Sequence, residues 1–319
     1  MKASLVFAIS VIFFGVKAWS AVRNPFEIEK EPQRTIHTIT DCMHVTSEEG
    51  DFVYRKEPDP PIIHGPGGRA SSKRSPPSME VCGLYVIAAP DQIIELSVKY
   101  SDVPCESGAL MAFVDGWELN GQYFPGIHDH QLSIKERVKE FCNENNWFPN
   151  YQLAPKVYRS SQNAALIQYR IPLRGSFLVN VRFKPHSKPC HIMAEGLAPF
   201  YRLQSSEYTG NCTITALFPA VVSIIGLKVG RNPLVSNDCT FKNGEVDQLS
   251  VGGSPGLDSY AMQRTSSLCG HTDKVSPEQA IFCEVTSIRL ESSHRGSNIA
   301  LVSVRPATEN DLDIATLVC

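Results

Sequence analysis

The chain has almost no net charge: 30 Lys and Arg stand against 33 Asp and Glu, leaving −3. No long basic run occurs either, so it has no electrostatic footprint for nucleic acid. There is no C-x-x-C pair, the closest cysteines, Cys269 and Cys283, being 14 positions apart, and there is no H-E-x-x-H. A zinc site needs three or four ligands brought together, and both common patterns for that are missing. His128-Asp129-His130 offers only two imidazoles and reads as a loop pair. Beyond the N-terminus no apolar run approaches the roughly 20 residues that cross a bilayer. The block 216–227 is too short, contains Pro219, and reads as a core strand. A usable nucleophile elbow is also lacking. Gly252-Gly253-Ser254-Pro255-Gly256 fits G-x-S-x-G, but Pro255 has no N–H to give an oxyanion hole and no amphipathic helix follows, so the segment reads as a turn. No catalytic set, metal or cofactor is expected.

What the chain does have is ten cysteines behind a hydrophobic leader: Cys42, Cys82, Cys105, Cys142, Cys190, Cys212, Cys239, Cys269, Cys283 and Cys319. Lys2, the apolar stretch from Leu5 to Val16 and the small residues around Ala18-Trp19-Ser20 form a signal peptide over 1–20, with no membrane anchor expected. An even cysteine count behind such a leader implies an oxidised, extracellular, disulfide-stapled protein. Many connectivities are open to ten cysteines. Joining neighbours would keep each loop inside one domain, and each unstrained bridge would contribute about 3–4 kcal/mol.

The remaining length suits two cores rather than one. Strand signals dominate. Ile94, Leu96, Val98 and Tyr100 alternate with polar residues, Phe177, Val179, Val181 and Phe183 share one face, and Cys212, Ile214, Ala216 and Phe218 share another. One helix is expected, capped by the Ser133 and Glu136 pair, with Ile134, Val138 and Phe141 on one side, about two turns long and ending at Cys142. An internal repeat shows in the cysteines, Cys82, Cys105 and Cys142 against Cys212, Cys239 and Cys269. A second echo sets Arg159-Ser160-Ser161-Gln162-Asn163-Ala164-Ala165-Leu166 beside Glu291-Ser292-Ser293 and Asn298-Ile299-Ala300-Leu301. The expected organisation is an N-terminal segment 21–41, a first domain 42–185 and a second 186–319, divided in the Pro-rich stretch at Pro185–Pro189. Within the first domain, 56–80 holds six prolines and Lys73-Arg74 and is expected to be a disordered loop, with Lys73-Arg74 a possible processing site. Asn211-Cys212-Thr213 is the one N-glycosylation sequon, because Asn24 and Asn232 precede proline.

Taken together, the cysteines, the Asp115-Gly116 step and the later strand pair resemble the CUB module. The likeness extends further. Val114-Asp115-Gly116-Trp117, Gly121, Phe124-Pro125, Asp129-His130, Phe141-Cys142 and Arg159 to Asn163 resemble the corticotropin-releasing hormone-binding protein family, as do Asn211-Cys212, Phe218-Pro219, Gly252-Gly253, Gly256-Leu257-Asp258 and Leu268-Cys269. The resemblance covers Cys42 to Cys319 and implies an all-β fold of two CUB-like jelly-roll sandwiches. It implies five consecutive disulfides, Cys42–Cys82, Cys105–Cys142, Cys190–Cys212, Cys239–Cys269 and Cys283–Cys319, and a glycan on Asn211. It also implies a secreted, non-catalytic protein that sequesters corticotropin-releasing-factor-like peptide hormones, with an extracellular CUB-type adhesion or protein-interaction module as the alternative. The chain departs from the family in a longer segment between Cys42 and Cys82. Many CUB modules hold calcium through an aspartate before the glycine, which Asp115 matches, and another soon after a cysteine, where this chain has Gly108. Calcium is therefore not expected, although Asp102 or Glu106 would be the residues to compensate. Ligand contacts are not legible, since side chains lining a peptide groove have the same character as core side chains.

Overall fold

Short apolar alternations cut by Gly, Pro and Asn turns become strands throughout. The computed structural model describes residues 35–57, 80–142, 156–172, 174–205, 210–230, 234–236, 239, 246–293 and 297–319. The expected signal peptide, Lys73-Arg74 and most of the 56–80 segment lie outside the described residues. Residues Thr35–Cys319 form one compact unit.

In chain order the first half gives β1 (Ile36–Thr38), β2 (Met43–Thr46), β3 (Gly50–Lys56), β4 (Cys82–Ile87), β5 (Gln92–Asp102) and β6 (Leu110–Asp115). A small hairpin of β7 (Trp117–Leu119) and β8 (Gln122–Phe124) follows, then the one-turn helix α1 (Ile134–Arg137), β9 (Val138–Glu140), β10 (Lys156–Arg159), β11 (Ala164–Arg170) and β12 (Gly175–Pro185). They make a sandwich of an outer sheet, β1-β3-β12-β5-β10, and an inner sheet, β2-β4-β11-β6-β9. The second half gives β13 (His191–Ala194), β14 (Tyr201–Gln204), β15 (Cys212–Ala216), β16 (Ala220–Val229), β17 (Gln248–Ser254), β18 (Gln263–Leu268), β19 (Gly270–Thr272), β20 (Gln279–Phe282), β21 (Val285–Glu291), β22 (Ile299–Pro306) and β23 (Ala315–Val318). Its inner sheet is β13-β15-β21-β17-β18 and its outer sheet β14-β22-β16-β20-β23, with β19 also on β16. Among the described residues no sheet mixes strands from the two halves. The fold is thus all-β, two CUB-like jelly-roll sandwiches.

Each sandwich closes on its own core. Phe52, Ile94, Leu96, Phe177, Val179 and Val181 of the first outer sheet meet Leu84, Val86, Met111, Phe113 and Ile167 of the first inner sheet. In the second sandwich Ile214, Leu249, Val251, Ile288 and Leu290 pack on Val222, Ile224, Ala300, Val302 and Val304. Each fully buried side chain of this size contributes about 1.5–3 kcal/mol. The third cluster binds the halves together. Tyr85, Ile87, Val114, Trp117, Phe124, Ala164 and Leu166 from the first sandwich enclose Met193 and Leu257, with Leu217 packed against them, from the second. This explains why β4, β6 and β11 read as nearly unbroken apolar runs: both of their faces are covered.

The structure corrects four readings of the sequence. The capping pair forms, Ser133 N–H donating to Glu136 Oε2 at 2.9 Å, but the helix stops at Arg137, because Val138–Glu140 pairs with Ala112–Val114 and supplies the edge of the inner sheet. Tyr100 leaves the face of Ile94, Leu96 and Val98. A bulge opposite Leu178 and Val179 inserts one residue and turns Tyr100 outward. The block 216–227 is not one strand, since Pro219 lies in the turn between β15 and β16, where no ladder N–H is required. Finally, the serine-rich echo is out of phase. Ser160 to Asn163 precede β11 and Ser292 and Ser293 precede β22, whereas β11 corresponds to β21 by its place between β4 and β6 and that of β21 between β15 and β17.

The cysteine echo follows the strands. Cys82 opens β4 and Cys212 opens β15, while Cys105 and Cys239 follow β5 and β16. Bridges join Cys42–Cys82, Cys105–Cys142, Cys190–Cys212, Cys239–Cys269 and Cys283–Cys319, with Cα–Cα distances from 4.5 to 5.7 Å, within the range a disulfide spans.

Candidate functional site

The Asp115-Gly116-Trp117 step builds the seam between the sandwiches. After β6 the chain turns at once into the hairpin. Gly116 has φ of +108°, and a Cβ there would sit 1.9 Å from the Phe124 carbonyl oxygen, so only glycine fits. The turn aims Trp117 back over the inner sheet, where its Nε1–H donates to Val86 O at 2.9 Å. Arg137, 1% exposed, fastens the hairpin from below, donating to the carbonyls of Asp115 (3.0 Å), Pro125 (2.7 Å) and Phe124 (3.0 Å). Among the described residues no carboxylate pairs with it directly, and burial lowers its pKa to about 10.

Asp115 accepts from Ser161 N–H and Gln162 Nε2, both at 2.8 Å, and faces His130 Nε2 at 3.7 Å. Burial opposes its charge, but His130 and Ser161 hold its pKa below the usual carboxylate value. Asp102 and Glu106 do not join it. The register places Asp115 opposite Ala165 and Leu110 opposite Arg170, so β6 separates Asp115 from the end where the tight 3-10 turn Cys105–Ser107 and Asp102 lie. Serine, histidine and aspartate meet here without forming a relay. Leu132 N–H donates to His130 Nδ1 at 2.9 Å, which leaves the ring proton on Nε2, and that same nitrogen faces both Ser161 Oγ (2.9 Å) and Asp115. A general base would need its free lone pair on the serine and its N–H on the acid. Among the described residues the cluster with metal-like spacing is Cys42, Glu80 and Cys82, and its two thiols are spent in a disulfide.

Asp129, between the two loop histidines, is the buried acid of the seam. Its Oδ1 accepts from Arg289 Nε (2.9 Å), Arg289 Nη2 (2.8 Å) and Asn211 Nδ2 (3.2 Å), and its Oδ2 from Ser259 Oγ (2.6 Å). Burial works against the Arg289 charge, yet Asp129 and Glu291 outweigh it and raise its pKa. Tyr260 stacks beside the guanidinium at 5.3 Å and His128 beside Tyr260 at 4.4 Å. Two further clamps cross the seam. Asn163 donates to Met193 O (2.9 Å) and accepts from Met193 N–H (2.8 Å). Gln122 Oε1 accepts from Asp258 N–H at 3.2 Å, at a place where a Cβ on Gly256 would lie 2.1 Å from that oxygen. Asn211, the sequon residue, therefore stands in the seam. The sequence singled out Asp129 only beside its two histidines and among the residues carrying the family resemblance, and gave no sign of Arg289 as its partner. The available signal was Arg289 itself, a cation between Ile288 and Leu290 in the strand Val285–Glu291.

A second surface faces solvent. On the outward side of the first outer sheet, half-buried Val53 and Leu178 and exposed Tyr100 (51%) are cross-strand neighbours in one row, and Ile36 (69% exposed), opposite Asp51, stands diagonal to Val53. Charges border this apolar stripe: Lys99 Nζ pairs with Asp51 at 2.6 Å and Arg159 with Glu95 at 2.8 Å. The matching pattern is a chain with one apolar and one charged side. No helix among the described residues is long and apolar enough to cross a membrane.

Comparison with known proteins gives these surfaces a context. Residues 67–185 match the family of the corticotropin-releasing factor binding protein N-terminal domain. The chain is 27% identical over 256 residues to the corticotropin-releasing factor-binding protein of Xenopus laevis, covering 79% of this chain and 71% of that protein. With the human protein of that name it shares 25% over 275 residues, 85% of this chain and 77% of the other. Among solved structures, the CUB1-EGF-CUB2 domains of rat MASP-1 align at 10% identity with a TM-score of 0.25, over 84% of this chain and all of that one. The resemblance to the corticotropin-releasing factor-binding proteins thus runs through most of the chain.

Proposed function

We propose that the protein is a secreted, non-catalytic carrier that sequesters an amphipathic peptide hormone of the corticotropin-releasing-factor type and so limits its access to receptors. The observation that carries this reading is the similarity, through both sandwiches, to proteins named for binding that factor. The outward stripe of Ile36, Val53, Leu178 and Tyr100, bordered by the Asp51–Lys99 pair, supports it as a place for such a peptide. A peptide disordered when free would order on this sheet, laying its apolar side on the stripe. Residues 1–20 are removed on secretion, and 42–185 and 186–319 are the two modules. Asn211 carries a glycan in this reading. A glycosylated amide keeps one N–H, enough for its bond to Asp129, and a mass loss on deglycosylation tests it. Isothermal titration with a synthetic peptide of this hormone type should give saturable heat at micromolar concentrations, and Leu178→Arg should weaken it at least tenfold. No heat from the unaltered protein ends the proposal.

The same face is exposed at Ile36 and Tyr100, which also suits a folded protein partner, as in an extracellular CUB-type interaction module. Recovery of the protein from extracellular fluid separates the readings by whether a small peptide or a large protein accompanies it.

A further inference from the structure

We propose that the seam between the sandwiches is an acid-sensitive latch, closed while His191 is neutral and opened by its protonation. His191 opens β13 at the boundary between the halves and is 8% exposed. Its Nδ1 lies 3.0 Å from Thr213 Oγ1 on β15, and its ring stacks 6.2 Å from that of His130, which belongs to the first sandwich. An imidazolium there would need a carboxylate for its new N–H. The two within electrostatic reach, Asp129 and Asp115, attract the proton, but Asp129 is already engaged by Arg289, Asn211 and Ser259, and Asp115 takes Ser161 and Gln162 on Oδ1 and turns Oδ2 to His130 at 3.7 Å. The other charged or titratable neighbours oppose it. These are His130 on the 125–132 loop and Arg137 on α1, while Arg289 on β21 is paired with Asp129. Burial is the largest influence and, with His130 and Arg137, it pushes His191 far below the ordinary histidine range.

The sign follows from linkage. A base whose pKa falls on closure leaves the closed form short of a proton whenever the open form is protonated. Closure is therefore full above the open-state value of about 6.5, and is lost at up to about tenfold in the closed-to-open ratio for each pH unit below it, until the depressed value is reached. The opening is local because His191 touches the seam, while each sandwich is held by its own bridges. The latch works whatever partner the protein carries.

Two measurements on the full, disulfide-bonded protein test it. Hydrogen exchange, corrected for intrinsic pH dependence, should show protection of residues 126–132 and 191–194 falling by about fivefold between pH 6.5 and 5.5, and His191→Gln should remove most of that change. Equal falls in the two proteins, or a fall spread evenly over both sandwiches, would overturn the proposal. If His191→Gln fails to fold, deuterium incorporation at the imidazole C2 of the unaltered protein decides: slow titration well below pH 6 supports the latch, and an ordinary histidine titration sinks it.

Discussion

The two sandwiches share one ladder order yet meet the seam with opposite chemistry. β4 and β11 of the first correspond to β15 and β21 of the second, and the registers align Gly83, Tyr85, Leu166 and Gln168 with Thr213, Thr215, Ser287 and Arg289. The first inner sheet thus turns an apolar face to the junction and the second a polar one. Their differences gather in the same place. Where the first inserts the β7–β8 hairpin with Trp117 and Phe124, the second has a short connection carrying Leu257 and Ser259, and all four are buried in the seam. At the outer sheets each sandwich gains one parallel strand on a different edge, β1 on β3 in the first and β23 on β20 in the second. The lesson is that a duplicated framework diverges where it must recognise its own copy, because a face packed on an identical apolar face would leave nothing to fix its register.

The largest effect expected from this comparison is at its most asymmetric position. Arg289→Ala strands Asp129 as a buried charge and should cost about 3–5 kcal/mol by urea denaturation. The corresponding residue of the first sandwich, Gln168, bonds only Glu118 at 2.9 Å in a half-buried site, and Gln168→Ala should cost about 1 kcal/mol or less. Equal losses would show that the seam is not organised around the Asp129–Arg289 pair. Next is the bridge without a counterpart. Replacing Cys283 and Cys319 together by serine should lower stability by about 2–4 kcal/mol, with exchange protection lost first in β23 and β20 rather than in the first sandwich. The smallest effect concerns Thr215, whose buried Oγ1 has no hydrogen-bond partner among the described residues, as is also true of Ser287 Oγ beside it. Thr215→Val, close in shape, should raise stability by about 1 kcal/mol, seen as a higher melting temperature, while the same polar-to-apolar logic has nothing to act on at Tyr85.

Much of this was legible beforehand for a local reason. Period-two alternation marks strands such as Phe177 to Phe183 wherever one face is buried, and cysteine spacing tracked equivalent strands because each sits at a strand boundary. The failures are local as well. Ile134 to Phe141 has helical spacing, but an unpaired sheet edge at β6 took Val138–Glu140 for itself. Tyr100 kept the alternation on paper while a bulge inverted its face.

By itself, then, the sequence determined that this is a β-rich, cysteine-stapled chain with two repeated halves and an acid–glycine–tryptophan turn, since each of these rests on spacing along the backbone. Only the tertiary structure decided that Asp129 and Arg289, 160 residues apart, neutralise one another, that His191 is sealed between the halves, and that Ile36 and Tyr100 share an open face with Leu178. Burial and charge pairing depend on which surfaces meet in space. No periodicity encodes the distance between two sheets.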